Sequence, residues 1–104
     1  MSTTASRLVS ELTERGETLS FCESLTAGLA SATVASVPGA SAVLRGGLVT
    51  YATDVKSHFL HQSVADIEAA GVVSGETALA MARAAVAETA ADWGIGLTLS
   101  LIHI

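Results

Sequence analysis

The chain has one cysteine, Cys22, so it cannot close an internal disulfide, and nothing in it calls for an oxidising compartment. Cations are scarce too: five Lys and Arg stand against ten Asp and Glu, for a net charge of −5. So few positive groups cannot collect the counterion-release energy that binding to a phosphodiester backbone depends on, and nucleic acid is not expected as a partner. No apolar run reaches the roughly 18 residues that would span a bilayer, so a membrane partner is not expected either. The first seventeen residues mix Arg7, Glu11, Glu14 and Arg15 into their apolar positions, which denies them the unbroken apolar stretch of a secretion signal. A soluble, cytoplasmic protein is the expectation. Internal repeats, linkers and low-complexity segments are lacking as well.

What is present is a chain of 104 residues, half of them hydrophobic and 14% charged, which is the size and composition of one globular domain. Leu8, Val9 and Leu12 share a helical face, Glu11 can pair with Arg15 one turn on, and Gly16 is a natural left-handed stop. A short strand is expected from Thr18 to Cys22. It runs into a turn of small and hydroxyl residues opened by Glu23, and then into a helical segment from Leu29 to Val37 that Pro38 and Gly39 end. Ala42 to Tyr51 reads as a strand or hairpin that bends or bulges at Gly46-Gly47. Two short helices are expected over Val55 to His61 and Val64 to Ala70. Ser63 and Asp66 open the second like a capping box, and Gly71 closes it. Ser74 caps a long helix reaching Thr89, with Ala78, Leu79, Ala82, Ala85 and Val86 as its apolar side. Another strand starts near Ile95. Alternating strands and helices imply a layered α/β domain.

The chemistry centres on Glu23-Ser24-Leu25-Thr26-Ala27-Gly28, where a hydroxyl falls on a strand-to-helix turn followed by backbone N–H groups that the helix cannot satisfy. Such a turn can present a nucleophile, and the same N–H groups with the helix dipole can hold an oxyanion or a phosphate. The competing reading is that Ser24 only caps the helix and Gly28 only permits close packing. Tyr51 and Lys56 are the next candidates, because a serine hydroxyl is a weak nucleophile until a base takes its proton. To act as that base a lysine must fall from about 10.4 toward the working pH, which demands desolvation or a neighbouring cation. Tyr51 would relay the proton or orient the amine. Against this stand a solvated surface lysine and a half-buried strand aromatic.

Other assignments fit less well. Short-chain dehydrogenases pair Tyr and Lys four apart on one helical face, but Tyr51 and Lys56 are five apart and no G-x-G-x-x-G follows the first strand. His58 and His61 have a spacing that could join two imidazoles on a helix, yet no third ligand accompanies them, and a metal is not expected. Cys22 reads as a small core hydrophobe. Ser41, in the turn after Pro38, serves equally well as a site hydroxyl or as an ordinary turn residue.

Three stretches, ESLTAG from Glu23, VPGASAVLRGGLVTYATDVK from Val37 and GVVS from Gly71, occur in this order. Together they resemble the CinA C-terminal domain family, whose motifs run ESCTGG, a PGSS-like turn, a GG-x-V-x-Y strand, an acidic-x-Lys segment and a G-x-VS helix start. The likeness extends from about Leu19 to Thr98. It implies a layered α/β/α sandwich with Ser24 as nucleophile, Tyr51 and Lys56 as its catalytic partners, and Thr26, Gly28 and Ser41 contacting substrate. Members of this kind are similar to amidohydrolases that convert nicotinamide mononucleotide to nicotinate mononucleotide and ammonia. The implied partner is therefore that small nucleotide, with a homo-oligomer admitted and no cofactor or metal required. A non-catalytic nucleotide-binding module is the alternative, and a start at Met1 resembles the family's stand-alone form.

Leu25 stands where the motif has Cys, Ala27 where it has Gly, and Ala52-Thr53 where it often has Ser-Asn. An added methyl at Ala27 would crowd a ligand oxygen or shift the backbone if the site needs close approach. Residues 1–98 are thus expected to form the N-terminal portion of one such domain, incomplete at its C-terminus. Residues 99–104 (LSLIHI) resemble a translated sequencing adapter, though their alternating apolar pattern also suits a genuine strand. The missing strands would leave a sheet edge and apolar surface uncovered, and poor folding in isolation is expected.

Overall fold

The computed structural model describes residues 3–98; the 99–104 segment, expected to be foreign, lies outside the described residues. Thr3 opens helix α1 (Thr4–Arg15) by accepting from the Ser6 amide, and Ser6 returns the bond to the Thr3 amide, which satisfies donors at the helix start. Gly16 closes it in the left-handed conformation, and Val9 and Leu12 turn inward. There follow β1 (Leu19–Glu23), α2 (Leu29–Ala35), a 3-10 turn over Ala40–Ala42, β2 (Leu44–Val49), α3 (Thr53–Leu60), α4 (Val64–Ala70), α5 (Gly75–Thr89) and β3 (Trp93–Leu97).

The three strands form a parallel sheet in the order β2-β1-β3. Every residue of the central β1 is buried, as a parallel strand covered on both faces requires. Its side chains alternate between two cores. Leu19 and Phe21 join Val9, Leu12, Val34 and Val43 beneath α1 and α2, whereas Cys22 joins Met81 and Ala85 beneath α5, with Leu60 of α3 alongside. The result is the expected α/β/α layering, and Cys22 is a core residue. At the other end of β1, the Thr18 amide and hydroxyl both bond Asp92 Oδ2, at 2.8 and 3.1 Å, tying the start of β1 to that of β3.

Several local expectations shift. Gly46 and Gly47 lie in one parallel strand and not in a hairpin. The register with β1 skips Arg45, as Leu19 faces Leu44 and Ser20 faces Gly46, so the bulge falls just ahead of the glycines. On α5, Ser74 accepts from the Thr77 amide as the cap requires, and Thr77, Met81, Ala84 and Ala85 are buried, but Leu79 is 52% exposed. The helix is seated by Gly94 and Gly96, where a Cβ would strike the Ala82 and Ala78 carbonyls. That contact turns Ala78 and Ala82 onto the sheet and carries Leu79, one residue later, away from it. His61 is the left-handed residue that ends α3, and the His58 ring packs edge-on against Phe59, with centroids 5.0 Å apart. β2 and β3 form the sheet margins, and Leu8, Leu12, Leu19, Trp93 and Ile95 line an open apolar groove between α1 and β3. Among the described residues no helix is long and apolar enough to cross a membrane.

Candidate active site

In a parallel sheet every strand points its C-terminal end the same way, so the chain leaving β1 emerges beside the chain leaving β2. Hydrogen bonds hold this junction one residue beyond the strands. The Thr50 amide donates to the Glu23 carbonyl at 2.7 Å, and the Ser24 amide donates to the Leu97 carbonyl at 3.1 Å. Ser24 is thereby fixed between β2 and β3 and is only 7% exposed.

Lys56 projects from α3 into the same junction and is 1% exposed. Its Nζ lies 2.7 Å from Ser24 Oγ, 2.7 Å from the Thr50 carbonyl and 3.1 Å from the Tyr51 carbonyl. Two of these partners can only accept. A neutral amine has two N–H donors and one lone pair, so giving its hydrogens to the two carbonyls aims the lone pair at the serine hydroxyl. Among the described residues no carboxylate pairs with Lys56. Burial pushes its pKa below the ordinary lysine value, with the neighbouring Cys22 sulfur acting in the opposite direction. A serine hydroxyl facing a desolvated amine can be deprotonated by it.

The turn after Ser24 is not an ordinary helix cap. The N-cap of α2 is Gly28, which makes no side-chain capping bond, so the reading of Ser24 as a mere cap fails. The donors at the start of α2 are taken by Glu23. Its Oε1 accepts from the Ala30 amide at 2.9 Å, and its Oε2 accepts from the Ser31 amide at 2.9 Å and from the Ser31 hydroxyl at 2.6 Å. Burial raises the Glu23 carboxyl, but the Ser31 hydroxyl and amide and the Ala30 amide outweigh it, and the net shift is downward. The helix N-terminus expected to hold an oxyanion or phosphate is therefore already occupied by an anion of the chain itself. Within the turn, the Ala27 amide bonds the Ser24 carbonyl and the Leu29 amide bonds the Thr26 carbonyl, leaving the amides of Leu25, Thr26 and Gly28 outside these bonds.

The remaining candidates fall in different places. Tyr51 meets Lys56 through its main-chain carbonyl, while the residue is 60% exposed, so it is the backbone and not the phenol that orients the amine. The Thr26 hydroxyl is close enough to favour the ionised Glu23 but makes no hydrogen bond among the described residues. Gly28 has φ +97° and packs beside Val49. Ser41 is not brought to Ser24 within the chain. It sits in the turn ahead of β2, and since Leu44 faces Leu19 at the start of β1, Ser41 lies at the opposite end of the sheet. Glu23 and Thr50 were not singled out in the sequence, because a buried carboxylate seven and eight residues ahead of its amide partners has no local periodicity to reveal it. Thr50 is fully buried, and its hydroxyl is 3.6 Å from Cys22 Sγ and 3.3 Å from the Glu23 carbonyl.

Comparison with known proteins gives the same fold. A protein of Streptococcus pneumoniae described as competence-damage inducible is 48% identical over 94 residues, covering 90% of this chain and 22% of its own length. The crystal structure of competence/damage inducible protein CihA from Agrobacterium tumefaciens superposes with a TM-score of 0.79 at 35% identity, covering 85% of this chain and 53% of that one. A CinA superfamily protein from Escherichia coli also gives a TM-score of 0.79, at 26% identity, covering 85% of this chain and 51% of its own. The chain thus spans about a fifth of the curated relatives it matches and about half of these solved structures. With the model of the CinA C-terminal domain matching residues 1–98, the chain belongs to the CinA C-terminal domain family.

Proposed function

We propose that Ser24 and Lys56 are the nucleophile and general base of an amidohydrolase site that cleaves the carboxamide of nicotinamide mononucleotide. The observation that carries this reading is the 2.7 Å contact between Lys56 Nζ and Ser24 Oγ, made by a buried amine whose other two partners are carbonyls. Lys56 takes the hydroxyl proton and Ser24 Oγ bonds to the amide carbon. The proton then passes from the lysine to the departing nitrogen, ammonia leaves, and water hydrolyses the resulting ester to free the carboxylate. Once protonated, the ammonium keeps the Thr50 and Tyr51 carbonyls as acceptors, which stabilises the ion pair formed in the step. The amides of Leu25, Thr26 and Gly28, which take no part in the turn's own bonds, are the candidate donors for the developing oxyanion.

The alternative, a module in which the same turn holds a nucleotide phosphate without hydrolysis, loses the Ala30 and Ser31 amides to Glu23 and keeps only those of Leu25, Thr26 and Gly28. The test is ammonia release from nicotinamide mononucleotide by the chain and by its Ser24→Ala and Lys56→Ala variants. Turnover is expected to fall by several orders of magnitude in either variant; turnover unchanged by either substitution removes the mechanism. Binding of the nucleotide without ammonia release selects the non-catalytic module.

A further inference from the structure

We propose that Glu23 is a positioning residue for Ser24, clamping the nucleophile turn through its carboxylate. This rests on the reading of Ser24 as the nucleophile. Glu23 ends β1 and is bonded directly to Ser24, yet its carboxylate reaches across the turn to Ala30 and Ser31 in the first turn of α2. Capping is thereby moved from residue 28, a glycine with no side chain to supply it, to the residue before the nucleophile. The five residues Ser24 to Gly28 are held between two ends of one side-chain bridge.

The turn has reason to need such a tie. Ala27 has φ +51° and Gly28 φ +97°, and a non-glycine residue in the left-handed region persists only where its surroundings enforce it. The Glu23 backbone is anchored independently by the Thr50 amide at 2.7 Å, so the carboxylate pulls against a fixed point. Among the described residues no cation pairs with Glu23, which is fully buried, and an unpaired carboxylate is costly to bury. Three hydrogen bonds to the first turn of α2 offset that cost, whereas a glutamine would have only one oxygen to offer. Glu23 has no hydrogen bond to Ser24 Oγ or to Lys56, so it acts through the turn.

The test uses the whole chain and a fluorophosphonate, which reacts with activated serine hydroxyls. Its labelling rate at Ser24 is read by mass spectrometry across pH, well below the melting temperature of each protein. Glu23→Gln is expected to label about 10- to 100-fold more slowly at the plateau, the scale of loss for a nucleophile displaced by about an ångström. The pH midpoint, set by Lys56, stays where it is in the wild type. Ser31→Ala, which removes one bond to Oε2, is expected to slow labelling several-fold, and Glu23→Asp to lie between it and Glu23→Gln. Wild-type plateau rates in folded Glu23→Gln, with only a lower melting temperature, would overturn the proposal. Should Glu23→Gln fail to fold, wild-type rates in both Ser31→Ala and Glu23→Asp overturn it equally. A wild type labelled no faster than Ser24→Ala defeats the nucleophile reading itself, and this proposal with it.

Discussion

Lys56 and Ser24 are separated by 32 positions in the chain and meet at 2.7 Å across the C-terminal end of the sheet. The contact depends on the parallel pairing of β1 with β2, which brings Thr50 and Tyr51 alongside the end of β1, and on α3 starting only three residues after Thr50. The lysine then lies inside its first turns with its amine directed back at the strand ends. Burial and hydrogen bonding together suit that amine to the proposed role: in its neutral form, with its two hydrogens on the carbonyls, the lone pair faces the Ser24 hydroxyl.

The first prediction concerns pH. Lys56 must be neutral to accept a proton, so the rate of the proposed hydrolysis rises with pH, with its midpoint below the ordinary lysine value of 10.5. Stability follows the same group. An amine whose folded pKa lies below its unfolded one binds fewer protons folded than unfolded between those two values, so stability increases as pH rises through that window. Denaturant titrations between neutral pH and pH ~10 should show this rise in the wild type and lose it in Lys56→Met. Lys56→Arg should be inactive throughout, since a guanidinium stays protonated; a pH profile unaltered in Lys56→Arg would exclude the lysine as base.

Strain at the turn gives the second. Ala27 holds φ +51° with its methyl exposed, a conformation that costs an L-residue about 1–2 kcal/mol and glycine almost nothing. Ala27→Gly is expected to stabilise the chain by about 1 kcal/mol after the extra entropy of an unfolded glycine is subtracted, a rise of roughly 4–8 °C in melting temperature for a domain of this size. A lower melting temperature in Ala27→Gly would show that the turn relaxes in solution.

The seat of α5 supplies the third. A Cβ at Gly96 would meet the backbone of both Ala78 and Ala82, and backbone in a helix cannot move aside as a flexible side chain can. Gly96→Ala is expected to destabilise the fold by about 1–3 kcal/mol, measured as a shift in denaturant midpoint with little change in slope. Wild-type stability in this variant would mean that α5 does not lie on β3 as closely as described.

Much of the scaffold was legible along the chain. Ser63 and Gly71 bracket α4, Ser74 opens α5, and Gly16 closes α1, because caps and left-handed stops act within a few residues of one another. The buried side of α5 was only partly legible: Ala85 is buried and Ala78 and Ala82 lie against β3, but Leu79 faces out and the buried Thr77, Met81 and Ala84 fall outside the expected stripe, since spacing alone does not say which helical face the sheet glycines will accept. Ser24, Lys56 and Tyr51 were singled out as residue types and through resemblance to a family, and nothing in their spacing revealed which atoms meet.

The sequence by itself determined the capped ends of α1, α4 and α5, that strands and helices alternate, and that one hydroxyl sits on a strand-to-helix turn. Those are short-range matters of capping, periodicity and backbone preference. Only the tertiary structure decided that Glu23 fills the start of α2, that Tyr51 offers its carbonyl and not its phenol, that Ser41 lies at the far end of the sheet, and that Lys56 is dry. Each depends on which residues distant in the chain become neighbours, and desolvation and hydrogen bonding arise only once they do.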